Sequence, residues 1–393
     1  MEYVEVCGER ISRLAFGTMR FPKLEDGSLD HDQIQAMTDY AIANGVNYFD
    51  TAWPYHDGLS ELEIGKALSK YPRDSYFLAN KYPGHQVMKD YDPAGIFEKQ
   101  LEKCGVEYFD FYLLHNINEM CFDVYKDPKW DILNYFIEQK KQGRIKHLGL
   151  STHARAENLS EILDYMGDNA EFCQIQLNYI DWTLQNAKDK VEELNRRNIP
   201  IMVMEPVRGG KLADVGKNND KLKALRLDES IASWAFRWLM KVDGVATVLS
   251  GMSNMEQMKD NIKTFSEGED LTDDEWNMLL DVAEDLKVGA PCTFCRYCCD
   301  ACPQSLDIPM LIAGYNDLKF QAGVTVGIQM DGTPKDKWPD QCIGCGNCRK
   351  LCPQHIDIPS VLKEFSDMLN SGPNWTQICR EREAAAERLA QDK

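Results

Sequence analysis

Residues 49–55, Phe49-Asp50-Thr51-Ala52-Trp53-Pro54-Tyr55, carry an acid and, five positions on, a phenol. Val46, Tyr48 and Phe49 lead into them as a short apolar run of strand-forming residues, which puts Asp50 at a strand end and Tyr55 in the loop beyond. Two more apolar runs finish the same way: residues 76–80 close on Lys81, and residues 109–114 close on His115. Helical patterns separate the runs, which predicts parallel neighbouring strands with all four side chains gathered at one end.

Outward from this segment the rhythm repeats. After a hairpin at 3–11, strands are predicted at 14–19, 46–50, 76–81, 109–115, 145–150, 172–177, 199–204 and 245–249. Helices are predicted at 32–44, 60–70, 94–104, 129–142, 156–166, 186–197, 228–241 and 254–263, with another at 273–287. Eight strand–helix units in roughly 265 residues have the size and order of an α/β fold, the closed (β/α)8 TIM barrel. A doubly wound open sheet ranks second, because no G-x-G-x-x-G follows the first strand. Long loops at 82–95 and 116–130 hold Tyr82, Phe122, Tyr125 and Trp130, and Trp53 follows the second strand. These rings either wall a pocket for an apolar or ring-bearing substrate or simply cap the barrel mouth.

The 393 residues are 44% hydrophobic, enough for one large domain and a smaller one. A formal net charge of −19 argues against nucleic acid or an anionic membrane as partner. The first residues show no basic segment followed by an apolar one, and no apolar run approaches ~18 residues. A soluble, cytoplasmic protein is expected.

Nine of the fourteen cysteines lie between 292 and 352. Cys292, Cys295, Cys298 and Cys302-Pro303 recur fifty residues later as Cys342, Cys345, Cys348 and Cys352-Pro353. The repeat continues: 304–309 reads QSLDIP and 354–359 reads QHIDIP, each before an apolar helical stretch. Both runs have the C-x2-C-x2-C-x3-C-P spacing that binds a 4Fe–4S cluster, the fourth cysteine serving the other cluster. One cluster is therefore expected on Cys292, Cys295, Cys298 and Cys352, and one on Cys342, Cys345, Cys348 and Cys302. Zinc is the alternative for paired C-x2-C. Cys299 is spare, as are Cys7, Cys104, Cys121, Cys173 and Cys379. The expected organisation is a barrel over 1–288, a mainly helical two-cluster module over 289–372 and a charged helical tail over 373–393.

The four strand-end residues suit carbonyl chemistry. A free phenol has a pKa of about 10, and a neighbouring ammonium lowers it. Lys81, positioned by Asp50, is expected to tune Tyr55 into a general acid, with His115 orienting the carbonyl oxygen. Singly, each residue has an ordinary structural explanation; four at consecutive strand ends point to catalysis.

Residues 45–52 (GVNYFDTA), Tyr55, Ser60-Glu61, Gly65, Asn80-Lys81 and Leu113-Leu114-His115 resemble the aldo-keto reductase family over residues 1 to about 285. The resemblance implies a (β/α)8 barrel, NAD(P)(H) bound without a Rossmann fold, and carbonyl reduction by hydride transfer, with Asp50, Tyr55, Lys81 and His115 matching the catalytic tetrad. It assigns Ser151 and Gln174 to the nicotinamide carboxamide, with Thr152 where many members have Asn. Met204 stands where many have a stacked Tyr, followed by Glu205-Pro206. The turn Ser250-Gly251-Met252-Ser253-Asn254 fits a phosphate site, and Asp260-Asn261 match adenine contacts. Gly251 and Gln257 occupy the places of the family's basic 2′-phosphate contacts, with Glu256 nearby, which favours NADH over NADPH. The whole chain resembles aldo-keto reductases carrying a carboxyl-terminal two-cluster ferredoxin domain.

The function so expected is NAD(P)H-linked reduction of a small carbonyl substrate, with clusters serving as structure or as a wire to a ferredoxin-like donor. One alternative is an electron-transfer or docking protein whose barrel does not turn over carbonyls. Another is a one-electron reductase fed through the clusters.

Overall fold

The computed structural model describes every residue except 268, 293–295, 322–323, 353, 373–374 and 392–393, together with all side chains but those at 324, 386 and 389–391 within helices. The expected hairpin forms from β1 (Tyr3–Val6) and β2 (Glu9–Ser12), paired antiparallel. Eight parallel strands follow: β3 (Leu14–Gly17), β4 (Tyr48–Asp50), β5 (Phe77–Tyr82), β6 (Phe109–Leu114), β7 (Ile145–Thr152), β8 (Cys173–Gln176), β9 (Ile201–Met204) and β10 (Val245–Ser250). They close on themselves, since β10 pairs with β3 through Val248 and Leu14 as well as with β9. That closure removes the open-sheet alternative.

The closed sheet fills its own interior. Ala15, Tyr48, Ala79, Phe111, Phe172 and Met202 pack together, and Val6 and Ile11 of the hairpin join the same cluster. With the floor plugged, only the carboxyl ends of the strands are left to hold a ligand. Around the barrel the helices fit closely. Helix Ser60–Leu68 runs so near helix Pro93–Cys104 that a Cβ on Gly65 would lie 2.4 Å from the carbonyl oxygen of Cys104; only glycine allows that approach.

In the second module, helices Ile308–Phe320 and Ile358–Asn370 pack side by side, each entered through an Asp-Ile-Pro sequence with proline in the first turn. Leu306, Ile308, Leu311 and Ile312 bury against Ile356, Ile358, Leu362 and Phe365. A helix not anticipated from sequence, Val324–Asp331, lies between the repeats; its Val-Thr-Val-Gly opening favours strand, and tertiary packing overrides that preference. The last helix, Trp375–Gln391, begins ahead of the charged residues that suggested it.

The second module sits on the barrel mouth. Arg208, in the loop after β9, pairs with Asp181 at 3.0 Å and with Asp317 of helix Ile308–Phe320, and Gln185 donates to the same Asp317 at 2.7 Å. Arg155, just beyond β7, donates to Thr333 Oγ1 at 3.0 Å, while Gln329 Nε2 donates to the His153 carbonyl at 3.2 Å. A Cβ on Gly332 would come within 2.8 Å of the Met120 amide nitrogen, so the two backbones almost touch. No described helix is long and apolar enough to cross a membrane.

Candidate active site

Strand β4 delivers Asp50, β5 delivers Lys81, and the residue after β6 is His115, all buried at the same end of the barrel. Lys81 Nζ donates to Asp50 Oδ1 at 2.5 Å and to the Thr51 carbonyl at 2.8 Å. Burial raises the Asp50 carboxyl and lowers the Lys81 ammonium, and each charge opposes the shift of the other. Lys81 Nζ lies 5.1 Å from the centre of the Tyr55 ring, and the Tyr55 and His115 rings meet edge to face at 6.0 Å. Two polar atoms here, Asp50 Oδ2 and His115 Nδ1, are buried without a hydrogen-bond partner. The four residues expected to meet do meet.

The loop that presents Tyr55 is unusual. His56 and Asp57 have φ values of 52° and 55°, the left-handed region that few non-glycine residues adopt and that Asp and His tolerate better than most. His56 Nε2 accepts from the Phe21 amide at 3.3 Å, and its ring stacks on Phe21, which holds the turn in place.

The phenol is not tuned as expected. Tyr55 is pushed well above the ordinary phenol range by desolvation first, then by the Asp50 and Glu205 carboxylates; the cation that opposes them is Arg382. Lys81 is spent on Asp50 instead. Tyr55 is therefore held protonated, the state of a proton donor. His115 is driven well below its usual range by burial and by His85, Lys81, His153 and Arg382, so it is a neutral imidazole.

The cofactor positions divide. Ser151 and Gln174 are buried and in register on β7 and β8. Gln176 stands beside Met204 on β8 and β9, and Glu205 follows in a left-handed conformation (φ 56°). Burial raises the Glu205 carboxyl, opposed by Arg20. Ser250 accepts from Asn261 at 2.9 Å, and Gly251 lies under the Arg20 stem, where a Cβ would be 3.1 Å from Arg20 Cβ. The Thr152 hydroxyl donates to the Ile117 carbonyl at 2.6 Å and accepts from the Ala154 amide. The Met252 side chain, in the same turn as Ser250 and Gly251, is buried in the main core. Asn254 caps the following helix by accepting from the Gln257 amide at 2.9 Å, Gln257 Oε1 accepts from the Ser253 amide, and Asp260 accepts from Ser230 at 2.6 Å. Pro206 is buried beside Glu205. Asn254 thus closes the amino end of helix Met255–Ser266.

Three residues missed from sequence complete the mouth. His85 is buried with its ring 4.2 Å from that of His115, and burial pushes it down to about 3. His153 is pushed down to about 4 by burial, with Gln176 bonded to it. Trp375, from the final helix, stacks on His85 at 5.9 Å and 28° and donates its indole N–H to the His85 carbonyl at 3.1 Å. His153 follows a strand end as His115 does, so the same rule would have found it. Nothing local marks Trp375. Conversely, Tyr82, which ends β5, and Phe122 and Tyr125, in a short helix beyond β6, are buried core residues, while Trp53 and Trp130 are half-buried.

In the second module Cys302, from the first run, lines one hollow with Cys342, Cys345 and Cys348 from the second, walled by Leu306, Ile308, Ile343 and Leu362. Four sulfurs in an apolar cradle, one exchanged between runs, fit the crossed ligation read from the repeat. On the other side Cys298 is held up to about 12 by burial and by Cys299 and Cys292 beside it. Cys295 lies outside the described residues.

The comparisons with known proteins agree with this geometry. Residues 13–284 match the aldo/keto reductase family model, and residues 291–356 match a 4Fe–4S dicluster domain. The chain belongs to the aldo/keto reductase family. As such it is an oxidoreductase with an iron–sulfur module appended. It is 24% identical over 288 residues to the NADH-specific methylglyoxal reductase of Escherichia coli, covering 62% of this chain and 85% of that one. It is 29% identical over 164 residues to the NADPH-dependent alpha-keto amide reductase of Saccharomyces cerevisiae, covering 40% and 50%. An aldo-keto reductase of Bacillus halodurans in its holo form superposes with a TM-score of 0.58 at 25% identity, covering 72% of this chain and 96% of that one.

Proposed function

We propose that the protein reduces a small carbonyl substrate with NAD(P)H, NADH preferred. The observation that carries this is the buried Asp50–Lys81 pair beside a phenol held protonated and an imidazole held neutral. Bound NAD(P)H would supply a hydride to the carbonyl carbon. Ser151 and Gln174 would hold its carboxamide, and the helix end after β10 its pyrophosphate. Tyr55 donates its hydroxyl proton to the carbonyl oxygen as charge develops there. The Asp50–Lys81 pair stays closed beside the ring, with Lys81 Nζ 5.1 Å from its centre. Neutral His115 orients the oxygen as a hydrogen-bond donor. The relatives named for methylglyoxal and α-keto amides make 1,2-dicarbonyls the first compounds to test. Tyr55→Phe should remove carbonyl-dependent NADH oxidation by at least 10²-fold; unchanged turnover would sink the assignment.

The eight cysteines are proposed to hold two 4Fe–4S clusters, in the cytoplasm where thiols stay reduced. A second reading, that the clusters are the working redox centres for a ferredoxin-like partner, is favoured by the seating of their module on the mouth. Anaerobic NADH titration followed by EPR separates the two. Cluster reduction by NADH alone supports communication between the sites; clusters that stay oxidised while a carbonyl consumes NADH leave them structure or a separate partner.

A further inference from the structure

The final helix, Trp375–Gln391, does more than cover the mouth. It packs against the Tyr55–Gly58 turn, and four rings connect it to the reacting centre: Trp375 on His85, His85 on His115 at 4.2 Å, His115 on Tyr55 at 6.0 Å. Trp375 and Cys379 anchor the helix, both almost fully buried. Two turns on from Trp375 comes Arg382, whose guanidinium carbon lies 5.5 Å from the Trp375 ring centre. Its charge reaches Tyr55, His85 and His115.

The charge balance around that guanidinium is distinctive. Lys81 is paired with Asp50, and the Arg20 charge opposes the rise of the Glu205 carboxyl. His85, His115 and His153 are uncharged. Among the described residues no carboxylate forms an ion pair with Arg382. The half-buried cation thus stands over the Trp375 ring, on the helix that packs on the Tyr55–Gly58 turn, and His115 Nδ1 in the ring chain is buried and unpartnered. A planar guanidinium near an aromatic face is suited to a carboxylate, which it binds through paired, charge-assisted hydrogen bonds.

We infer that Arg382 is a specificity-determining residue, and that the substrate class is a carbonyl compound carrying a carboxylate next to the reacting group, a 2-oxo acid. The carboxylate pairs with Arg382 of the closing helix, and the adjacent carbonyl oxygen lies toward Tyr55 and His115. Trp375 supplies the apolar wall that the loops after β5 and β6 do not. The inference rests on the carbonyl-reductase reading for turnover alone; the anion site stands without it.

The test compares phenylglyoxylate with phenylglyoxylamide, which share the ketone and differ in charge. Wild type, Arg382→Gln and Arg382→Lys, each as the anaerobically purified full chain with its clusters, are assayed with NADH. Wild type should favour the acid. Arg382→Gln should lower kcat/KM for the acid about 10- to 100-fold more than for the amide, whose change reports the shared effect on Tyr55 and His115, and Arg382→Lys should recover part of the difference. Equal losses on acid and amide, or a wild type indifferent to charge, overturn the proposal. The products mandelate and mandelamide are titrated in parallel by tryptophan fluorescence. If neither ketone is reduced yet mandelate binding weakens in Arg382→Gln and mandelamide binding does not, the carbonyl-reductase reading fails while the carboxylate site stands. Mandelate binding indifferent to Arg382 overturns the site itself.

Discussion

Lowering the pH from 7 to 5 should loosen this protein through the histidines at the barrel mouth. His85 and His153 titrate near 3 and 4 in the folded protein and near 6.5 once unfolded. Between those values the unfolded chain binds more protons, so stability falls as the pH drops below about 6.5. At pH 5 both folded rings are still neutral, and the cost comes from protonation of the unfolded chain alone. It amounts to about 2 kcal/mol per histidine relative to pH 7, and is nearly the same for a folded value of 3 or 4. His115, also driven well below its usual range, acts in the same direction. Asp50 and Glu205 act oppositely, because their folded values are raised, so the wild-type total will be smaller than the histidine sum. Comparing variants isolates one ring. Urea midpoints of wild type and His153→Gln at pH 7 and pH 5, followed by far-ultraviolet circular dichroism, should show the variant losing about 2 kcal/mol less on acidification. Equal pH dependence in the two proteins would refute the reasoning.

Other outcomes follow from other contacts. Lys81→Met strands a buried carboxylate and should cost about 3–5 kcal/mol, part of which Asp50→Asn returns in the double variant; denaturant midpoints measure both. Cys302→Ala should strip the cluster of the second cysteine run and leave the first, so iron per chain falls by about half and the visible band with it; loss confined to the first cluster would contradict the crossed ligation. Gly65→Ala drives a methyl group into the Cys104 backbone and should destabilise the barrel by about 1–3 kcal/mol in thermal unfolding. Arg208→Ala leaves Asp181 and Asp317 buried without their shared cation, and should raise protease sensitivity in the segment joining barrel and module.

What was readable from the sequence is what short-range patterning controls. Strand ends recur at a regular spacing, and a side chain at such an end has one place to go; hence Asp50, Lys81 and His115 could be brought together before any coordinates. The cysteine runs were equally legible, since their ligation depends on local spacing and on one exchange between repeats. Electrostatic environment was not. Whether Lys81 acts on Tyr55 or is absorbed by Asp50 depends on distances of a few ångströms, and the structure reverses the expected direction of the Tyr55 shift. Loop hydrogen bonding was equally out of view: that the Thr152 hydroxyl bonds the Ile117 carbonyl and the Met252 side chain enters the main core depends on neighbours distant in sequence. Trp375 and Arg382 carry no periodic or motif signal, because their neighbours come from the far end of the chain.

That distance has a consequence for how the protein is made. The bond from the Trp375 indole to the His85 carbonyl spans 290 residues. At ~5–20 residues added per second, His85 waits on the order of 15–60 s for its partner to leave the ribosome. The last barrel strand ends at Ser250, 125 residues before Trp375, so for about 6–25 s of that wait a fully synthesised barrel, with its buried charges and three neutral imidazoles, stands uncovered. The nascent chain thus passes through a stage in which the barrel is synthesised and its pocket is not yet enclosed. A chaperone or a cluster-delivery factor acting on the second module during that stage would also be setting the moment at which the pocket is sealed.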